Sequence, residues 1–194
     1  MSYNILLIGD SYTARNGYQS YLKEKLNNKY NITTIAQSGA GFVKKYNDRN
    51  FVDLVNTAIT NYGKTHFDVI IIYGGINDYR QSSDLTACTE NAKTCLSKLR
   101  KHFSKAQIIY AYMQKENAKV DDTYNKYVNA LNITSNDYDI KLNASNWLNS
   151  NNYVDDNLHP NNSGYIIIAN KFATVIKVKD DNNNNGSGGV KYEF

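Results

Sequence analysis

Val69-Ile70-Ile71-Ile72-Tyr73, followed by Gly74-Gly75-Ile76-Asn77-Asp78, decides the fold. Five consecutive apolar, mostly β-branched residues stopped by two glycines read as a strand buried on both faces. Ile5-Leu6-Leu7-Ile8, ending at Gly9-Asp10, has the same character. Ile32 to Ala36, Gln107 to Tyr112 and a short Asp139 to Leu142 segment supply three more strands. Between them lie amphipathic stretches. Tyr18, Tyr21, Leu22 and Leu26 recur at helical spacing from about Gly17 to Asn28, and Phe51 to Tyr62 repeats the pattern. Ser83-Asp84 can cap a helix to about Phe103, with Leu85, Cys88, Ala92, Cys95, Leu96 and Leu99 on one face. A further helix starts at Asp121-Asp122 and runs to about Thr134. The last follows Pro160-Asn161-Asn162, with apolar positions from Tyr165 to Val178. This alternation predicts an α/β fold: a three-layer α/β/α sandwich around a central, mostly parallel five-stranded sheet.

One domain, residues 1–179, accounts for this pattern, as expected for a chain of 194 residues. Residues 180–194 begin with an Asn/Gly/Ser-rich tract of linker composition, and Val190 to Phe194 read as the start of something further, so additional domains are expected. The net charge of +4 is spread along the chain, which argues against a nucleic-acid partner. No apolar run reaches transmembrane length. The start, Met1-Ser2-Tyr3-Asn4, lacks the features of a signal peptide. A cytoplasmic protein, or a piece of a larger exported one, is expected. Cys88 and Cys95 are seven residues apart on one helix, which puts their Cα atoms about 10 Å apart, too far for a disulfide.

In open parallel sheets ligands bind outside the carboxyl ends of the strands. Gly9-Asp10-Ser11, Ser38-Gly39 and Gly75-Ile76-Asn77-Asp78 each follow a predicted strand, so all three fall on that edge. A serine hydroxyl needs a base to become a nucleophile, and the chain has three histidines. His66 precedes the third strand, at the opposite edge, and His102 closes a helix. His159 lies in the loop Asp155-Asp156-Asn157-Leu158-His159-Pro160, where Pro160 favours an extended backbone for the residue before it. Asp156, three residues earlier, can orient the imidazole while the other ring nitrogen faces Ser11; Asp155 competes for that role, and spacing favours Asp156. Backbone N–H groups of Ser11 and Gly39 and the Asn77 amide are available as oxyanion donors. Asp10 and Asp78 can each serve simply as braces of their turns.

These four segments resemble the four blocks of the SGNH hydrolases, also called GDSL-type esterases. Gly9-Asp10-Ser11 matches the first block, with Tyr12 where the family name has leucine. Gly39, Gly75-Ile76-Asn77-Asp78 and Asp156-Asn157-Leu158-His159 match the others, so the resemblance spans residues 9–159. It implies a flavodoxin-like sheet and a serine esterase, often one that removes an acetyl group from a carbohydrate. The expected site is then Ser11, Asp156 and His159 for catalysis, with Ser11, Gly39 and Asn77 as the oxyanion hole.

Other templates fit less well. There is no Gly-x-Ser-x-Gly elbow, no glycine-rich phosphate loop after the first strand and no Cys/His cluster. Neither a cofactor nor a metal is expected. The expected substrate is an O-acetyl or other short-acyl ester of a glycan. Tyr12, Tyr79, Tyr112 and Tyr153 are placed near the active edge and available to stack on sugar rings. Lysophospholipase, thioesterase and acyltransferase activities are alternatives on the same site. A non-catalytic carbohydrate-binding module of a larger surface or phage protein is the alternative outside catalysis.

Overall fold

Five strands carry the molecule: β1 (Tyr3–Gly9), β2 (Tyr30–Ala36), β3 (Val69–Gly74), β4 (Gln107–Tyr112) and β5 (Ile140–Asn143). In the computed structural model, which describes residues 3–117 and 120–177, they form one sheet in the order β2-β1-β3-β4-β5. Every pairing is parallel. This is the flavodoxin-like order, whose ligand crevice lies where the strand order reverses, between β1 and β3.

The pleat sends alternate residues of each strand to opposite faces. Leu6, Ile8, Ile70, Ile72, Ile108 and Tyr110 pack into one layer. Ile5, Leu7, Val69, Ile71, Tyr73 and Ile109 pack into the other. Both layers are apolar, which is why β1 and β3 read as continuous hydrophobic runs rather than as alternating ones. Burying each such Ile or Leu is worth about 1.5–3 kcal/mol. The first layer is covered by α3 (Phe51–Tyr62), α5 (Leu85–His102) and α6 (Asp122–Leu131); the second is covered by α2 (Gln19–Lys25) and α7 (Asn162–Ala173).

Several helix starts are set by side chains that satisfy first-turn amides. Asn50 and Asp53 form a reciprocal capping box, while Asp84, Asp121 and Asn161 accept from the backbone amides of Ala87, Tyr124 and Gly164. The helix ends depart from expectation. α2 stops at Lys25 because Asn27 and Asn28 take left-handed conformations (φ 54° and 56°), which asparagine tolerates. α6 ends at Leu131, before Thr134, and α7 at Ala173. Val178 and the 180–194 tract lie outside the described residues. Two short helices, α1 (Ser11–Ala14) and α4 (Ile76–Arg80), were not expected. At four and five residues they are too short to show a helical period. Cys88 and Cys95 are both buried and unbridged, and burial pushes the Cys88 thiol up to about 12. No helix among the described residues is long and apolar enough to cross a membrane.

Candidate active site

Ser11 is the first residue of α1, immediately beyond β1. The turn is tight: a Cβ on Gly9 would lie 2.1 Å from Thr13 Oγ1, so only glycine lets the helix start this close to the strand. Asp10 caps the helix by accepting the Tyr12 amide at 3.0 Å, and Gln114 Nε2 donates to its other oxygen at 2.9 Å. Burial pushes the Asp10 carboxyl up to about 7, against the pull of these two donors. Its part is to brace the turn. The Ser11 amide belongs to the first helical turn, whose N–H groups have no intrahelical partner.

His159 Nε2 lies 2.9 Å from Ser11 Oγ, and His159 Nδ1 lies 2.6 Å from Asp156 Oδ2. The loop that delivers this pair is a small hairpin. Tyr153 and Pro160 form an antiparallel bridge, and the Val154 amide donates to the His159 carbonyl at 3.0 Å. Asn157 closes the turn at a left-handed φ of 55°. Within it, Asp156 Oδ1 accepts the amides of Leu158 and His159 at 2.9 and 2.8 Å. Desolvation raises the Asp156 carboxyl, but these amides and the His159 ring outweigh it and hold the group down at about 2. It is an anion throughout the physiological range.

Asp155 is exposed and shows no contact with the imidazole among the described hydrogen bonds, so geometry selects Asp156. His66 sits before β3, 3.3 Å from Asp68. His102 turns back on the Lys98 carbonyl at the end of α5. Neither lines the hollow at Ser11.

That hollow, of about 230 Å³, is lined by Ser11, Arg15, Ser38, Gly39, Tyr46, Asn77, Leu158 and His159. All five expected site residues except Asp156 reach it directly. Asn77, on the first turn of α4, donates one amide hydrogen to the Ala40 carbonyl at 2.8 Å, which fixes its orientation and leaves the second for a ligand. Gly39 adopts a φ of 81°, and a Cβ there would press to 3.0 Å against the Tyr46 ring. Glycine thus lets both the Gly39 N–H and the Tyr46 ring approach the same hollow. Asp78 accepts the amides of Phe42, Val43 and Lys44 at 2.6, 2.9 and 2.9 Å. It ties α4 to the loop after Gly39 and is a brace.

Three of the four tyrosines expected to face a substrate do not. Tyr12, Tyr112 and Tyr153 are buried, and only Tyr79 is partly accessible. Their hydroxyls explain two of them: Tyr12 lies 2.7 Å from the Leu158 carbonyl and 2.8 Å from that of Lys115, and Tyr153 donates to Lys115 at 2.7 Å. The aromatic side chain that does face the hollow is Tyr46, 52% exposed. A two-residue turn presents it, with Asn47 and Asp48 at φ 49° and 57° and Tyr46 and Arg49 exchanging backbone hydrogen bonds at 3.0 and 3.1 Å. The Asn-Asp pair was a readable turn signal; that the turn folds over Gly39 was not.

Arg15 and Gln114 also escaped the sequence reading. Gln114 follows Met113, which holds a φ of 56°, and its side chain reaches Asp10 while its oxygen lies 3.4 Å from the Ile76 amide. It links the turn carrying Ser11 to the one carrying Asn77.

The flavodoxin-like sheet thus gathers the serine, the histidine and the asparagine of the four sequence blocks at its switch point. The chain belongs to the GDSL-like lipase/acylhydrolase family, whose model matches residues 7–167. No curated protein matches the sequence. Among solved structures, an active-site mutant of a family two carbohydrate esterase from Clostridium thermocellum shares the fold at a TM-score of 0.67 and 17% identity. The alignment covers 91% of this chain but 64% of that one, so this chain spans less than two thirds of its length. A carbohydrate esterase family 3 structure from Talaromyces cellulolyticus matches at a TM-score of 0.66 and 14% identity, over 89% of this chain and 95% of that one. TesA matches at 0.64 and 12%, over 89% and 98%.

Proposed function

We propose that the protein hydrolyses short-acyl esters of carbohydrates, with Ser11 as nucleophile. The observation that carries this reading is the unbroken chain from Ser11 Oγ through His159 to Asp156, at 2.9 and 2.6 Å. His159 Nε2 takes the Ser11 proton as Oγ bonds to the ester carbonyl carbon. The carbonyl oxygen becomes an oxyanion facing the N–H groups of Ser11 and Gly39 and the Asn77 amide. Asp156 holds the proton on Nδ1 and balances the imidazolium charge. As the intermediate collapses, the bond to the alcohol breaks, and His159 gives its proton to the departing oxygen. Water, deprotonated by the same nitrogen, then attacks the acyl-enzyme; the acid leaves and the proton returns to Ser11 Oγ.

The size of the hollow, about 230 Å³, favours an acetyl or similarly short acyl group over a long chain. The exposed Tyr46 ring at its rim offers the flat apolar face on which a sugar ring stacks. Carbohydrate esterases among the structures of like fold agree with this choice. Fluorophosphonate labelling and p-nitrophenyl ester turnover test the nucleophile: wild type is modified and active, Ser11→Ala neither. An unlabelled, inactive wild type would overturn it. A series from acetate to palmitate, alongside acetylated polysaccharide, tests the substrate; faster turnover of long acyl chains would point to a lipid or thioester substrate instead.

A further inference from the structure

Arg15 caps the C-terminus of α1, its backbone amide bonded to the Ser11 carbonyl at 3.1 Å. Four residues after Ser11 on a helical turn, it lies on the same side of the helix as the nucleophile. It lines the hollow at Ser11, and it also lines a second, open groove of about 760 Å³. The rest of that groove is Val154, Pro160, the Asn161-Asn162-Ser163 turn and Tyr165, none of them charged at neutral pH. Among the described residues, Arg15 is therefore the one shared by the two spaces and the groove's one charged lining residue.

The chemistry decides which half of the ester enters the groove. The departing alcohol oxygen takes its proton from His159 Nε2, so the alcohol must lie on the His159 side of the scissile bond. The groove runs along the backbone of the loop that carries His159: Pro160 follows His159, and the Val154 amide donates to the His159 carbonyl at 3.0 Å. The acyl group is left with the smaller hollow.

The Arg15 side chain is half exposed, and among the described residues its ion-pair partner is Asp156 Oδ2, at a loose 3.9 Å. That distance is beyond a hydrogen bond, and Asp156 already accepts from the His159 ring and two amides. The fork of guanidinium N–H groups remains suited to a planar carboxylate in a substrate. We propose that the groove holds a carbohydrate leaving group and that Arg15 selects an acidic one, pairing with the carboxylate of a uronic-acid-type sugar. This rests on the carbohydrate-esterase reading above.

The test compares acetylated polygalacturonate with the same polymer after methyl esterification of its carboxylates, which removes the charge and keeps the sugar. Wild type should favour the acidic polymer by about tenfold in kcat/KM at low salt. The preference should shrink as ionic strength rises. Arg15→Gln should bring the ratio near one, Arg15→Glu should invert it, and Arg15→Lys should keep part of it. Because the ratio is taken within each variant, a general loss of activity cancels, and thermal unfolding establishes that each variant is folded. Equal efficiency on both polymers, or a preference that survives Arg15→Gln, overturns the proposal while leaving the esterase intact. Hydrolysis of nitrophenyl acetate with neither polymer attacked overturns the carbohydrate reading and, with it, this one.

Discussion

The Tyr12 hydroxyl sits 2.7 Å from the carbonyl oxygen of Leu158. One residue after Ser11 is thereby fastened to the residue before His159, so the two halves of the expected catalytic pair are held by a bond between their neighbours. A leucine at this position would fill space without making the connection. Tyr12→Phe should destabilise the fold by about 1–2 kcal/mol, because a buried hydrogen bond is lost and its acceptor is left short of a donor. It should also lower kcat several-fold while KM changes little. Urea unfolding and steady-state kinetics measure the two effects; an unchanged kcat would mean the His159 loop holds its place without the tie.

Asn77 gives one hydrogen to Ala40 and keeps one for the ligand. Asn77→Ala should reduce kcat by about 100- to 1000-fold, the range found for loss of a single oxyanion donor. Stability should fall by only about 1 kcal/mol, from the unpaired Ala40 carbonyl. Circular dichroism melts together with acetate-ester kinetics check both halves; a rate within a few-fold of wild type would remove Asn77 from the oxyanion hole.

In Asp156→Asn the new amide would face the His159 Nδ1 proton that the carboxylate now accepts. The imidazole would have to carry its proton on Nε2, where it cannot receive one from Ser11. The expected loss in kcat is between about 100- and 10,000-fold. The remaining oxygen can still accept the Leu158 and His159 amides, so the loop should stay folded. Asp155→Asn, as the comparison, should be nearly silent.

Stability should depend on pH through carboxylates of opposite sign: Asp10 and Asp78 are pushed up by burial, and Asp156 is held down by its hydrogen bonds. The Asp10 carboxyl is pushed up by burial to about 7 from 3.8, so between about pH 4 and pH 7 the native state keeps a proton that the unfolded chain has released. Stability therefore falls as pH rises through that window, by a total on the order of 4 kcal/mol. Asp156, held down at about 2, works the other way. Its contribution is present above about pH 4 and is lost as pH falls towards 2. Asp10→Asn should make the decline between pH 4 and pH 7 shallower and leave the acid side alone, as read from urea midpoints across pH. A decline of the same slope in the variant would place its origin elsewhere.

Much of this was legible along the chain because its causes are local. Apolar runs mark β1 and β3 through the demand that both faces be buried. Asp84 and Asp121 mark helix starts through bonds spanning three residues. The Asp156–His159 pair is likewise a contact within one turn. Short helices escaped notice for the complementary reason: α1 and α4 owe their existence to the strands they leave, not to any period of their own.

Sequence alone determined the sheet, the edge at which the site lies, and the serine, glycine, asparagine and histidine that occupy it. Only the tertiary structure decided which neighbours surround them. Tyr12 and Tyr153 are buried because their hydroxyls reach backbone carbonyls at Lys115 and Leu158, and Tyr112 because it stacks on Tyr110 in the core; nothing in the local sequence records where a loop lands. Gln114 reaches the site through partners distant in sequence, Asp10 and Ile76, whereas Arg15 arrives on the helical turn that follows Ser11 and Tyr46 on the turn that folds back over Gly39. Strand position depends on the hydrophobicity of a few consecutive residues. The placement of a loop side chain depends on packing against segments a hundred residues away.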